Sequence, residues 1–176
     1  MIRASLSPRQ SRQRGAALFI GLIFLLLITM IGVIAIQTST LEERMAGNAR
    51  DINVATQAAE MALRAGETQI NARTEQTPTT GYYNVEATAA PDAADYSQWT
   101  SANAKSLTTI TFTSMKVNST PLFWIEKQPN TALANKSMET VQTMTIEPFY
   151  VSAYSTGGSG TANVVLQSAY RRLISN

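Results

Sequence analysis

The sequence predicts an α+β protein in which one long N-terminal helix lies on a four-stranded antiparallel sheet. Two observations lead to this fold class. An apolar segment continues directly into an amphipathic helical pattern, and the second half of the chain contains short segments that alternate polar and apolar residues. The chain has 176 residues, which is enough for one domain of ordinary size.

The composition points away from catalysis. The chain contains no Cys and no His, which excludes cysteine nucleophiles, disulfides, Cys/His zinc sites and Ser–His–Asp triads. Its formal net charge of +2 is too small to indicate a nucleic-acid binder. We therefore expect a structural or interaction protein that is not an enzyme and that uses no cofactor and no metal.

The first predicted element is a membrane-spanning helix from Ala16 to Ile36. This segment carries no charge, and as a helix it would be roughly 31 Å long, about the thickness of the hydrocarbon core of a bilayer. Its Leu, Ile, Phe and Val residues contribute roughly −4 to −8 kcal/mol towards insertion. Four arginines precede it, and Glu42 and Glu43 follow it. This asymmetry predicts a cytoplasmic N-terminus, a single pass through the inner membrane and a periplasmic C-terminal domain.

The basic segment 1–15 ends in a glycine that directly precedes the apolar helix. This junction resembles that of type IV pilin-like proteins, in which prepilin peptidase cuts between the residues equivalent to Gly15 and Ala16. Two alternatives stay open: a secretory signal peptide, whose apolar region would be shorter, and a plain single-pass anchor. Because the leader holds four arginines, its removal would change the net charge from +2 to −2.

The helical pattern continues beyond the membrane segment, over residues 37–75. Apolar residues recur at spacings near three, four and seven, as on one face of an amphipathic helix. We expect the helix to end near Arg73, because Thr77-Pro78 and Gly81 follow. The predicted face consists of Leu41, Met45, Ile52, Ala55, Ala59, Leu63 and Ile70.

Two motifs in this region are specific. Residues 41–48 read LEERMAGN and residues 57–60 read QAAE. Together with Gln13-Arg14-Gly15-Ala16 they resemble the PilX family of type IV pilus minor pilins. The resemblance implies a type IV pilin-like fold and a role in starting pilus assembly. It also implies, as partners, prepilin peptidase, the major pilin, other minor pilins and a tip adhesin.

The resemblance also implies which residues take part in assembly. We expect packing and subunit contacts at Ile20, Gly21, Gly32, Leu41, Glu42, Glu43, Arg44 and Met45. Major pilins carry a glutamate at the fifth mature position, where this chain has Ile20, and they usually begin with Phe rather than Ala16. The apolar Ile20 suits a subunit at the tip of a filament. The resemblance also implies N-methylation of Ala16. A minor pseudopilin of a type II secretion system shares these features and remains an alternative. Adhesion, twitching motility and DNA uptake are all compatible with such a filament.

Residues 76–176 are expected to form a linker and the antiparallel sheet. We predict a connection over 77–106, anchored by Tyr82, Tyr83, Tyr96 and Trp99. The predicted strands are Thr108–Val117, Pro121–Ile125, Thr143–Tyr154 with a break at Pro148, and Ala162–Ile174. A hairpin loop is expected at Gly157–Gly160, and residues 131–140 are open between a loop and a helical turn.

For the other candidate sites, an ordinary structural role explains the sequence better than a binding or catalytic role. Gly157–Gly160 lacks the Lys-Ser/Thr of a phosphate loop. Asp92 and Asp95 are too few for a calcium site, and Glu42 and Glu43 point in different directions on a helix. Arg171 and Arg172 fall on opposite faces of a strand and so cannot form one patch.

Overall fold

The computed structural model describes residues 14–74, 80–108, 117–133 and 144–175. The helix α1 is Arg14–Asn71, and a short 3₁₀ helix is Tyr96–Gln98. In the described part of the chain the strands are β1 (Tyr82–Asn84), β2 (Lys105–Ser106), β3 (Leu122–Lys127), β4 (Thr131–Leu133), β5 (Met144–Thr156) and β6 (Asn163–Ser175). The predicted α+β class is confirmed, and α1 ends two residues before the predicted Arg73.

The chain divides into two compact units, with the boundary between Ala46 and Gly47. In the first unit, the described residues all belong to α1 and are exposed from Ala16 onwards. The second unit contains the remainder of α1 and all the described strands. Each unit therefore has its own physical character: one is an apolar helix without a core, and the other is a folded domain.

The sheet is mixed, so the prediction of four antiparallel strands is wrong in two respects. The six described strands follow the order β1-β3-β5-β4, with β2 also beside β3 and β6 beside β5. β1 pairs with β3 in parallel, whereas the other pairs are antiparallel. A parallel neighbour requires a long crossover, and the connection of more than thirty residues between Asn84 and Leu122 supplies it.

The predicted break at Pro148 is also wrong, because β5 runs through this residue. β5 pairs with β4 over Met144–Ile146 and with β3 over Phe149–Tyr154. Pro148 lies in the gap between these two partners, and its carbonyl accepts a hydrogen bond from the Gln128 N–H at 2.9 Å. An imino nitrogen is tolerated there because Pro148 faces the gap between β3 and β4, where no strand residue is in register with it, while Arg171 of β6 is its register partner on the other side.

One face of the sheet packs against the C-terminal half of α1. The helix contributes alanines and Ile70, and the sheet contributes larger apolar residues from β3 and β5. The buried members of this cluster are Ala62, Ile70, Leu107, Phe123, Ile125, Phe149, Val151 and Ala153. Ala55, Ala58 and Ala59 of α1 are also fully buried. Small side chains on the helix allow the backbone to approach the sheet closely, which is what the Ala-rich sequence predicts.

The predicted apolar face of α1 is exposed in its N-terminal part and buried in its Ala-rich part. Leu41, Met45 and Ile52 are more than half exposed, whereas Ala55, Ala59 and Ile70 are fully buried. The apolar periodicity of α1 therefore extends beyond its buried part.

The opposite face of the sheet carries an aromatic cluster. The rings of Trp99 and Trp124 are stacked with centroids 3.8 Å apart, and Tyr154 stacks on Trp99 at 5.3 Å. Tyr83 meets Trp124 edge-on at 6.4 Å. The long connection before β3 is thus anchored on the sheet by its aromatic residues, as expected for Tyr83 and Trp99.

Several predictions fall wholly or partly outside the described residues. These are the leader up to residue 13, most of the strand predicted at Thr108–Val117, and residues 134–140 of the segment left open between a loop and a helical turn. Residues 131–133, at the start of that segment, form β4 and pair with β5.

Candidate assembly site

The most conspicuous feature of the first unit is the apolar surface of α1. Over its most apolar 18-residue window the mean hydropathy is 3.0, and none of that window is buried. Leu, Ile, Phe, Met and Val side chains are exposed all round the helix, from Leu18 at 77% to Ile36 at 68%. By length and composition this is a helix that can cross a membrane, and a surface of this kind requires lipid or other apolar helices around it.

The hydroxyl groups within and just after this segment are satisfied by the helix itself. Thr29 Oγ1 donates to the Leu26 carbonyl at 2.8 Å, and Thr38 Oγ1 donates to the Ile34 carbonyl at 3.1 Å. Such internal bonds lower the cost of placing a hydroxyl in hydrocarbon. The polar side chains of this region therefore do not oppose a location in lipid or among packed helices.

The residues expected to pack in the membrane lie on this exposed surface. Gly15 and Ala16 lie in the first turn of α1. A Cβ atom added at Gly21 or Gly32 would meet no atom within 4 Å, so the helix backbone is open to close approach there. Ile20 is exposed and apolar, and it places no carboxylate near the start of the helix.

The residues expected to make subunit contacts outside the membrane also stay uncovered. Leu41, Glu42, Glu43, Arg44 and Met45 form consecutive positions of α1, and all are exposed. Leu41 and Met45 share one face at a spacing of four, while the charged residues point in other directions. The structure thus groups these residues into one turn of helix and does not bring them to a pocket or to a catalytic arrangement.

Sequence reasoning missed an attachment between α1 and the turn that joins β5 and β6. Asp51 accepts hydrogen bonds from the Ser159 hydroxyl and from the Ser159 N–H, the latter at 3.0 Å. These bonds from Ser159 lower the pKa of Asp51 below its ordinary value. The predicted hairpin loop is confirmed at Gly157–Gly160, but its sequence gave no sign that Ser159 would bind the helix.

A second missed feature lies at the C-terminal end of α1. Glu147 is buried and forms salt bridges with Arg172 at 2.6 Å and Lys127 at 3.1 Å. Arg172 also donates to the Ile70 carbonyl at 2.7 Å and lies 5.1 Å from the centre of the Phe149 ring. A cation at this position complements the negative end of the helix dipole.

The charge on Glu147 is maintained by its partners. Burial alone would raise the pKa of Glu147, but the hydrogen bonds and charges of Arg172 and Lys127 outweigh burial and lower it. Arg171, by contrast, is exposed on the other face of β6. The prediction that Arg171 and Arg172 cannot form one patch is therefore confirmed.

The acidic pair in the connection before β3 serves the backbone. Asp95 caps the 3₁₀ helix by accepting from the Ser97 N–H at 3.0 Å and the Ser97 hydroxyl at 2.7 Å, and these bonds lower its pKa. Asp92 accepts from the Ala94 N–H at 2.9 Å. Within the described residues no three His, Cys, Asp or Glu side chains come together as a metal site would require.

Comparison with known proteins identifies the N-terminal part of this architecture. Residues 14–64 match the model of the PilX N-terminal family, a segment that contains the exposed apolar helix and both sequence motifs. Residues 14–64, under a third of the chain, are thus similar to the PilX family of type IV pilus pilins. No curated protein and no solved structure matches this chain. The match ends at Arg64, so the described sheet lies outside it.

The match supports a type IV pilus minor pilin, and PilX-family pilins are structural proteins. A single N-terminal apolar helix is what a membrane-anchored pilus component needs. The family match begins beside the predicted processing site, so Gly15 and Ala16 lie within it. Cleavage at this position and the roles of the individual assembly residues are treated as proposals below.

Proposed function

We propose that this minor pilin helps to initiate type IV pilus assembly as part of a tip-associated complex with other minor pilins. Prepilin peptidase would first remove residues 1–15, between Gly15 and Ala16. Before assembly the pilin would span the inner membrane once, with a cytoplasmic N-terminus and a periplasmic C-terminal domain. Its role is to bind neighbours, and it performs no chemistry.

The observation that supports this proposal is the uncovered apolar surface of α1, joined without interruption to the helix of a folded domain. A helix that is apolar all round moves between lipid and a bundle of similar helices at little cost, because both surroundings resemble hydrocarbon. Close packing at Gly21 and Gly32 would supply the preference for the bundle. The folded domain would then determine which neighbours are accepted.

Ile20 supports a position at the tip. After processing, the amine of Ala16 would begin the helix, and burying an unpaired ammonium is expensive. A carboxylate on a neighbouring subunit offsets that cost, and this pilin has Ile20 where major pilins have a glutamate. A subunit without the carboxylate is poorly suited to receive another subunit above it, and it can stand at the end of the filament.

The experiment that tests this proposal counts and measures pili on cells with and without this chain. If the chain acts in initiation, its loss reduces the number of pili per cell, while the remaining pili keep their normal length. A loss of length with an unchanged number would mean that the chain acts in elongation, and normal pili with impaired secretion would favour the pseudopilin alternative.

The position of the subunit can be tested with Ile20→Glu and with Ile20→Gln as the matched polar control. Immunogold labelling of sheared pili should show the wild-type chain and the Ile20→Gln variant at one end. The Ile20→Glu variant should appear along the shaft. Shaft labelling of the wild-type chain would contradict the tip assignment.

A further inference from the structure

β6 forms one edge of the described sheet. It pairs with β5 over its whole length, from Asn163 to Ser175, and no other described strand pairs with it. A strand of this length extends over about 40 Å. The C-terminal strand therefore presents an unusually long edge, since edge strands are commonly short.

The hydrogen-bonding pattern shows which groups of β6 face this edge. The Gly157 N–H donates to the Ala162 carbonyl at 2.8 Å, and bonded and non-bonded pairs alternate along an antiparallel ladder. The register has no interruption, so the backbone groups of Gln167, Ala169 and Arg171 point away from β5. The carbonyl of Pro148, which is paired in register with Arg171, likewise points away from β6, towards Gln128.

Two of the usual devices that prevent strand addition, proline and bulges, are missing from β6, and its exposed charge is Arg171. β6 contains no proline, and its one-to-one register with β5 leaves no room for a bulge. Side chains of the outer sheet face flank the edge, and among them Leu173 is 63% exposed and Tyr150 is 41% exposed. An edge that is long, regular and partly apolar is suited to accept another strand.

We propose that β6 is a docking edge that receives an extended segment of a second protein as an added antiparallel strand. The incoming segment would carry apolar residues opposite Ala169 and Leu173, four positions apart, on the face that these two residues share with Arg171. It would carry a carboxylate opposite Arg171, which is exposed and makes no salt bridge with a described residue.

A second copy of this chain fits the edge less well. β6 contains two arginines and no acidic residue, so a second β6 brings no carboxylate to Arg171. Glu147 already neutralises Arg172, which leaves Arg171 as the charge that selects the partner. Charge complementarity therefore favours an acidic segment of a different protein over β6 itself.

The test is site-specific cross-linking on cells that carry assembled pili. The chain contains no cysteine, so single-cysteine variants at Gln167 and Ala169, which keep Arg171, can each be labelled with benzophenone maleimide and irradiated. The proposal predicts that all cross-links reach one segment of one partner. A cysteine two positions later in β6 should cross-link to a partner residue two positions earlier, as in an antiparallel pair. Cross-links between two β6 strands, cross-links with helical spacing, or none at all would overturn it.

Backbone variants test whether the ladder itself makes the contact. With the labelled cysteine at Gln167, Ala169→Pro removes an edge N–H and should lower the cross-linking yield at least tenfold. Ala169→Ser keeps that N–H and should leave the yield unchanged. If Ala169→Pro lowers the thermal unfolding temperature, Arg171→Glu is used in its place. Arg171→Glu should lower the cross-linking yield, and the control Arg171→Lys, which keeps the positive charge, should not. An unchanged yield in a folded variant would overturn the proposal.

This inference rests on the proposed function, because the partner is met during pilus assembly, but the two can fail separately. If the chain keeps its leader in cells that contain prepilin peptidase, the proposed function is wrong. If the chain is processed and the pili are normal but β6 gives no cross-link, only the docking proposal for β6 is wrong.

Discussion

Gly66 offers the sharpest test of how closely α1 approaches the sheet. A Cβ atom added at Gly66 would lie 2.5 Å from Val151 Cγ1 and 3.2 Å from Phe123 Cδ2, and both of these side chains are buried. An added methyl group therefore forces the core to rearrange, at a cost of about 1 to 3 kcal/mol. Gly47, in the same helix, has no atom within 4 Å of such a Cβ, which makes it a matched control.

Replacing either glycine by alanine increases helix propensity by up to about 1 kcal/mol. We expect Gly47→Ala to raise the free energy of unfolding by about that amount. Gly66→Ala should leave it unchanged or lower it by up to about 2 kcal/mol. The propensity contribution is common to both variants, so their difference isolates the steric cost of about 1 to 3 kcal/mol.

The assay is denaturant unfolding of the full-length pilin in detergent micelles, followed by tryptophan fluorescence. Both tryptophans belong to the aromatic cluster on the sheet, so the signal reports on the folded domain. The reasoning is refuted if Gly66→Ala is as stable as Gly47→Ala, because there would then be room for a methyl group between Gly66 and the side chains of Val151 and Phe123.

The other predictions concern three side-chain contacts. Glu147→Gln should lower the free energy of unfolding by roughly 3 kcal/mol, because it leaves two partly buried cations without their carboxylate, and equilibrium unfolding measures this. Since the folded-state pKa of Glu147 is lowered, its stabilisation is complete above its ordinary value of about 4.5 and is lost as the pH falls through the folded-state pKa; an unchanged stability difference between wild type and Glu147→Gln from pH 7 to pH 3 would contradict this. Trp99→Phe should abolish the exciton signal of the stacked tryptophans in circular dichroism, and persistence of the signal would mean that the rings do not stack. Asp51→Asn should speed amide hydrogen exchange at Ser159 without changing exchange at Trp124, and equal exchange in both proteins would show that Asp51 does not hold the turn.

The helix and its two environments could be predicted from local sequence. Apolar content identified the exposed segment 16–36, and Ala-rich periodicity identified the part of α1 that packs on the sheet. The same periodicity also included Leu41, Met45 and Ile52, which are exposed. Periodicity shows where a helix is apolar, but it does not show which part of that apolar face is buried within the chain.

The topology of the sheet depended on long-range pairing that no local pattern reveals. Tyr82–Asn84 is too short to predict as a strand, and its parallel pairing with β3 depends on the path of the following connection. Pro148 predicted a break in the strand, but β5 continues through this residue, pairing with β4 before it and with β3 after it. The contacts of Asp51 with Ser159 join residues more than a hundred positions apart, so sequence spacing could not suggest them.

The central claim is that the exposed apolar helix is the processed, assembling end of a pilin. Its most direct test is the intact mass of the membrane-extracted protein, with and without prepilin peptidase in the host. The account predicts loss of residues 1–15 only when the peptidase is present, so that the mature chain begins at Ala16. A leader that stays intact in both hosts, or a cut after Ile36, would contradict the account.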